Sequence, residues 1–359
     1  MTGGDVAVPD TNVPVTTSAG SSLGRRAGRT LLRFQSVFGL AVIVIVSAIV
    51  APVRNGQNVF LTSRNLLNIV RFASENGIIA IGMTLVILTG GIDLSVGAVL
   101  ALCAVASADL MMHHDFGTVP TILSVLALGA FVGAINGLVI TRLQIQSFIA
   151  TLAMLGVARG VASLWAGGYA IPLSFGEGAD LAPPAVKAMF AGRLDVLGVD
   201  VPAPVFYFLG VGAIISLVLR RTGFGRHVYA VGGNATAARL SGVNVSRVRV
   251  AVFVLSGLFA ALAALLHAAL VNQGSHIDGN GYELNAIAAV VIGGTSLAGG
   301  VGTVVGSMIG ALTLSVLDNI LGLRNIESEY QAILKGVIIV LAVFVQRQTN
   351  RGAARTEVA

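Results

Sequence analysis

Charge is scarce in this chain. Only 11% of its 359 residues are charged and 55% are hydrophobic, whereas about a quarter of the residues in an ordinary soluble domain are charged. With a mean hydropathy of +0.88, an ordinary soluble fold is excluded. Cysteine is scarcer still. Cys103 stands alone within an apolar run, which rules out an intrachain disulfide and a thiolate metal centre and leaves it as a small packing residue. The chain also lacks G-x-x-x-x-G-K-[ST], so it has no phosphate-cradling loop of its own. No Ser–His–Asp or Cys–His order with a catalytic context appears, and no enzyme active site is expected. The net charge of +6 is spread in short runs beside apolar segments rather than gathered in one patch. That distribution marks membrane orientation, not a nucleic-acid partner.

What is abundant is apolar sequence. A membrane-spanning helix takes roughly 20 residues, and segments near 34–53, 72–90, 93–112, 119–141, 147–166, 203–220, 249–271, 284–298, 301–322 and 331–346 meet that need or approach it. The predicted class is therefore all-α, a polytopic membrane protein of about ten transmembrane helices with glycine-rich helix breaks. The segments at 72–90 and 284–298 are the weakest, the first because it opens on Arg71, Glu75 and Asn76, the second because it is short. Residues 57–71 pair apolar Leu66, Leu67, Ile69 and Val70 with Arg64 and Arg71, a pattern for a short interfacial helix.

Arg25, Arg26, Arg29 and Arg33 precede the first span and place the N-terminus in the cytoplasm. A signal peptide over Arg25–Val50 is the rival, but the apolar stretch is long and no small-residue cleavage site follows. Residues 1–33 read as a disordered cytoplasmic tail, 34–347 as the membrane domain and 348–359 as a second cytoplasmic tail. The loop 167–202, with Glu177, Asp180, Asp195 and Asp200 against Lys187 and Arg193, suits the outer face. The loop 220–249 carries Arg220, Arg221, Arg226, Arg239, Arg247 and Arg249 and belongs inside.

Two segments share G-G-x-x-L-x-x-G: Gly90, Gly91, Leu94 and Gly97 in the first, Gly293, Gly294, Leu297 and Gly300 in the second. Glycine lets backbones approach closely and lets the chain leave helical geometry inside a protein-lined membrane region. Paired breaks of this kind point to a transporter core.

The basic loop contains G-G-N-A-T-A-A-R-L-S-G-V, Gly232 to Val243. Asn234 is a good N-cap and Gly242 sits where a C′ glycine ends a helix. About two turns of helix do not persist alone in water, so this one needs something to pack on. Small Ala237 and Ala238 would allow a close fit in a partner's groove, with Arg239 as a charged contact. The alternative is a capped helix resting on its own membrane domain.

The segment Ala237-Ala238-x-x-x-Gly242 resembles the core of the cytoplasmic loop by which ABC importer permeases engage their ATPases, with Thr236 where that loop usually has glutamate. Residues 82–97, 226–243 and 283–302 are similar, in order, to three signatures of the ribose, xylose, arabinose and galactoside permease group. The resemblance covers about Phe34 to Arg347, and not the tails or the loop 167–202. It implies an ABC ATPase subunit carrying the ATP and magnesium, an extracytoplasmic sugar-binding protein, a second permease copy or a related permease, and a bacterial inner-membrane location with both termini cytoplasmic. No cofactor is implied in this chain.

Ionisable groups in spans are costly and mark candidate path residues. Asp93, inside the first glycine motif, is either a conformational latch or the N-cap of the helix that follows. Glu75 and Asn76 either meet substrate hydroxyls or rest at the interface. Lys335 snorkels outward and pairs with Glu327 or Glu329. His113, His114 and Asp115 lack a distant third ligand, and a metal is not expected. Trp165 and Tyr169 suit an outer aromatic anchor. Alternatives are a permease for branched-chain amino acids or another small polar solute, an ion-coupled carrier and a structural scaffold. The carrier would need titratable residues deep in several spans, and only Asp93 clearly qualifies.

Overall fold

The computed structural model describes residues 22–178, 181–338 and 340, with side chains from Ser36 onward. The chain divides after Gln35 into two compact units, of which the second holds the membrane domain. The helices of that unit are α1 (Ser22–Val50, of which Ser36–Val50 belongs to it), α2 (Ser63–Leu88), α3 (Val96–Met112), α4 (Thr118–Arg142), α5 (Ser147–Trp165), α6 (Pro184–Ala191), α7 (Ala203–Arg221), α8 (Gly223–Gly233), α9 (Ala235–Leu240), α10 (Val245–Val271), α11 (Tyr282–Ile292) and α12 (Val304–Leu323). A further helix, α13, covers 328–338. Among the described residues, six helices are long and apolar enough to cross a membrane: α2, α4, α5, α7, α10 and α12.

Every expected span has a helix among the described residues, residues 341–346 of the last lying outside them, and several boundaries move. The separate interfacial helix at 57–71 does not form. Val53–Arg54 (β1) and Gln57–Asn58 (β2) make a small hairpin, and α2 then runs unbroken through Arg71. The cause is local, because the Thr62 side chain caps the helix by accepting from the Asn65 N–H and no glycine or proline interrupts 63–76. The expected span 284–298 ends early, at Ile292. At about 1.5 Å per residue its 11 residues reach about 16 Å, roughly half a bilayer core. The tail expected at 1–33 is helical from Ser22, and the rest of it lies outside the described residues, as does the tail 348–359. Lys335 pairs with Asp318 at 2.9 Å, not with Glu327 or Glu329.

Strands also depart from the all-α expectation, although only in loops. In the loop 167–202 α6 is followed by a hairpin of β4 (Arg193–Val196) and β5 (Val199–Pro202), which sets Asp195 opposite Asp200. Ile171–Pro172 (β3) pairs with Gln273–Gly274 (β6), tying that loop to the segment after α10.

Hydropathy alone does not say which helices are buried, since lipid is as apolar as a core. Small residues do. On α4, Gly129, Gly133 and Gly137 recur every fourth residue and so share a face. They meet Gly257, Phe253 and Val250 of α10 so closely that an added β-carbon at Gly133 would overlap the Phe253 carbonyl. α2, buried on all sides from Ala73 to Leu88 except at Asn76, is the centre around which α7, α10, α11 and α12 pack.

This packing predicts a contrast. Gly133→Val should abolish most folded protein in detergent, since overpacking costs about 1–3 kcal/mol even where side chains can yield and here the neighbour is backbone. Gly156→Val on α5, which faces open space, should leave thermal stability and membrane level near wild type.

Candidate functional site

The first glycine motif is a break between α2 and α3. Thr89 caps the end of α2, and Gly90 turns the chain at φ +78°, a conformation open to glycine without strain. The non-helical residues beyond it are met by α5: the Ile92 N–H donates to Ser147 Oγ at 3.1 Å, and the Leu94 N–H donates to Thr151 Oγ1 at 3.1 Å. Thr151 Oγ1 also donates to the Ile92 carbonyl at 3.3 Å. Asp93, 2% exposed, accepts at Oδ1 from the Ser95 N–H and hydroxyl (3.0 and 2.6 Å) and at Oδ2 from Ser256 Oγ of α10 at 2.9 Å. Asn136 of α4 donates to Ser95 Oγ at 2.9 Å. Asp93 is thus not the N-cap of α3, a position held by Ser95. It fastens the break to α10.

The second motif is a longer break, from Gly293 to Thr303. Gly294 has φ +87°, the Ser296 N–H closes on the Val301 carbonyl at 2.8 Å, and Thr303 caps α12 by accepting from the Gly306 N–H at 3.0 Å. The two breaks meet. The Gly300 N–H donates to the carbonyl of Leu88, the last residue of α2, at 3.0 Å.

A third segment joins them there. On α8, Tyr229 donates to the Gly302 carbonyl at 2.9 Å. Burial raises its phenol above the ordinary range, against the opposing pull of Arg220, so it remains a donor. Gly232, at the end of α8, lies so close that a β-carbon would overlap the Leu88 carbonyl, while Gly233 points into open space. Asn234 then caps α9 by accepting from the Ala237 N–H at 2.9 Å, and Gly242 leaves it at φ +86°. Thus the basic loop, the first break and the second break share one contact point.

A family model described as "Branched-chain amino acid transport system / permease component" matches residues 65–343. The chain belongs to this permease family. The ribose import permease protein RbsC of Escherichia coli (strain K12) is 42% identical over 318 residues, covering 89% of this chain and 94% of that protein. RbsC of Bacillus subtilis is 42% identical over 314 residues, with 87% and 92% covered. The xylose transport system permease protein XylH of E. coli (strain K12) is 34% identical over 367 residues, with 87% and 93% covered. No solved structure matches. The permease is a multi-pass, non-catalytic membrane component of an ABC importer, a class that implies ATPase and binding-protein partners.

Not all the residues singled out in the permease sequence meet. Gly90, Gly91, Asp93, Gly293, Gly294 and Gly300 lie in the breaks, but Gly97 is in the first turn of α3, where a β-carbon would overlap the Gly279 carbonyl. Glu75 and Asn76 lie well along α2, away from the junction, and Glu75 is buried against His267 of α10, with Oε2 3.0 Å from Nδ1. Ala237 and Arg239 face out, whereas Ala238 is 5% exposed and rests on the permease itself. The large apolar side chain that faces out is Leu240, 85% exposed.

Sequence reasoning missed His267 and Arg159, both ionisable and both within expected spans, so Asp93 does not stand alone. Applying the cost of intramembrane charge to every span would have found them. Ser147, Thr151, Asn136 and Ser256 carry no such signal. Near the C-terminal end of α3, Asp109 is also ionisable and gathers His113 Nδ1 at 2.8 Å, His114 Nε2 at 3.3 Å and Trp165 Nε1 at 3.0 Å.

The bracket around Asp93 separates two substitutions. Asp93→Asn keeps an oxygen for Ser95 and an amide that Ser256 Oγ can accept from, so the permease should fold with nearly unchanged thermal stability. Asp93→Ala strands buried donors at about 1–3 kcal/mol and should lower it clearly. Equal stability of the two variants would show that these hydrogen bonds hold nothing in place.

Proposed function

We propose that this permease forms the translocation path of an ATP-driven importer for a monosaccharide, with a pentose as the first candidate. The observation that carries the reading is 42% identity over 94% of a protein named for ribose import, supported by 34% identity to one named for xylose transport. The family description names branched-chain amino acids instead, which makes that solute class the alternative to test.

In this reading ATP and magnesium bind a separate ATPase subunit, an extracytoplasmic sugar-binding protein delivers the substrate, and a second permease copy or a related permease completes the path. The permease sits in a bacterial inner membrane with both termini inside. The basic run Arg220, Arg221, Arg226, Arg239, Arg247 and Arg249 sets α8 and α9 on the cytoplasmic side, where the ATPase would seat on Ala237, Arg239 and Leu240. The same residues lie one short turn from Gly232. A push on α9 therefore acts at the Leu88 carbonyl, where both helix breaks are tied, without crossing the membrane first. Asp93 supports the first break from the α10 side.

Two experiments test this. In cells lacking their own importers and supplied with the cognate ATPase and binding protein, D-ribose or D-xylose should accumulate and leucine should not; leucine uptake alone would establish the alternative. Separately, Leu240→Asp should keep normal membrane levels but lose co-purifying ATPase, since removing an apolar anchor from a tight contact costs about 1.5–3 kcal/mol, or one to two powers of ten in affinity. Gly232→Ala should keep the ATPase bound yet lose uptake, while Gly233→Ala transports. Uptake retained in Gly232→Ala would remove the junction from the mechanism.

A further inference from the structure

Between α10 and α11 the chain stays against the helix bundle. Residues 272–281 turn back along α3, close enough that a β-carbon at Gly274 would overlap the Ala104 carbonyl, while Gly279 sits against Gly97. The stretch therefore runs inward, from the middle of α3 to its first turn. Inside a membrane such irregular backbone needs protein partners, and here they are ionisable. Arg159 of α5 donates to the carbonyls of His276 and of Asp278, the latter at 2.7 Å. His267 of α10 lies between two carboxylates, with Nδ1 3.0 Å from Glu75 of α2 and Nε2 3.6 Å from Asp278. The Tyr282 ring meets the imidazole edge-on at 6.2 Å.

This stretch leads straight into α11, the half-length helix that ends at the second glycine break. α11 is thus slung between charged groups at its outer end and glycines at its inner end. Burying charge is costly, and apolar residues of the same shape often fasten a core at least as well. What charged groups add is that arriving water can replace each lost partner, so a fastening of this kind lets go when its surroundings become wet. Two further atoms, His276 Nδ1 on this stretch and Glu283 Oε2 in the first turn of α11, are buried without a hydrogen-bond partner and would be met in a hydrated state.

We propose that 272–281 and α11 form a gate on the outer side of the path, and that Glu75, His267, Asp278 and Arg159 are positioning residues that latch it shut. This rests on the transport reading above and names the element that moves. A static bracket, holding the stretch in one place throughout the cycle, is the competing outcome.

Solvent access tells the two apart. Ser275, buried at the centre of the stretch, is changed to cysteine in a Cys103→Ala background, and the complex with its ATPase and binding protein is placed in right-side-out vesicles. An impermeant thiol reagent outside should label Ser275→Cys slowly at rest and faster when ATP is loaded and D-ribose or D-xylose is supplied with the binding protein. Adding Glu75→Gln, or His267→Gln if the first fails to reach the membrane, should raise the resting rate about tenfold or more, the population change expected when one charge-assisted hydrogen bond is lost. Resting labelling unchanged by either substitution would overturn the latch. The resting comparison needs no substrate, so vesicles that import neither sugar would count against the transport reading while leaving the latch to be judged by itself.

Discussion

Backbone that leaves the helix inside a bilayer has no water to turn to, so every irregular residue must be met by a neighbour. That requirement organises this permease. Ile92 and Leu94 can lie outside a helix only because α5 presents Ser147 and Thr151 one turn apart. The Leu88 carbonyl can be left by its own helix only because Gly300 donates to it, and the stretch after α10 can turn inward only because Arg159 takes two of its carbonyls. Each break is thereby bound to a second element, and the set of such bindings makes the fold a mechanism rather than a bundle.

Glycine and the hydroxyl residues divide this labour. Glycines set how closely elements approach, most severely where α4 lies on α10 and where Gly232 meets Leu88. Hydroxyls supply the hydrogen bonds that the approach makes reachable, as in the buried pair Thr84 and Ser307, 2.7 Å apart, that joins α2 to α12. Neither class carries charge, so both can be used in lipid at little cost.

The same division explains how much could be read from the sequence. Apolar runs and basic loops predicted every long helix of the membrane domain, because crossing lipid leaves a signal in every residue of a span. Caps were legible too, as at Asn234 and Gly242. Boundaries at the breaks were not. Nothing local tells that Gly293 ends a helix while Gly97 sits within one, since the difference lies in what each glycine faces. The side of α9 that Ala238 occupies was misjudged for the same reason: spacing gives a face, not its neighbour. His267 and Arg159 were visible as intramembrane charges, but only the fold brings them to the residues 272–281.

Ser256 and His267 are eleven residues apart on α10, about three turns and about 16 Å, and so lie on nearly the same face. Ser256 is bonded to Asp93 in the break after α2 and packs against Gly82 of α2, and His267 is bonded to Glu75 on α2 itself. One joint between two rods leaves a pivot; two joints leave none. While both hold, α2 and α10 can neither slide along nor swivel about each other, and the pair has the freedom of a single body. Any motion that changes their crossing must first release one joint, and which one goes first decides the end at which the pair opens.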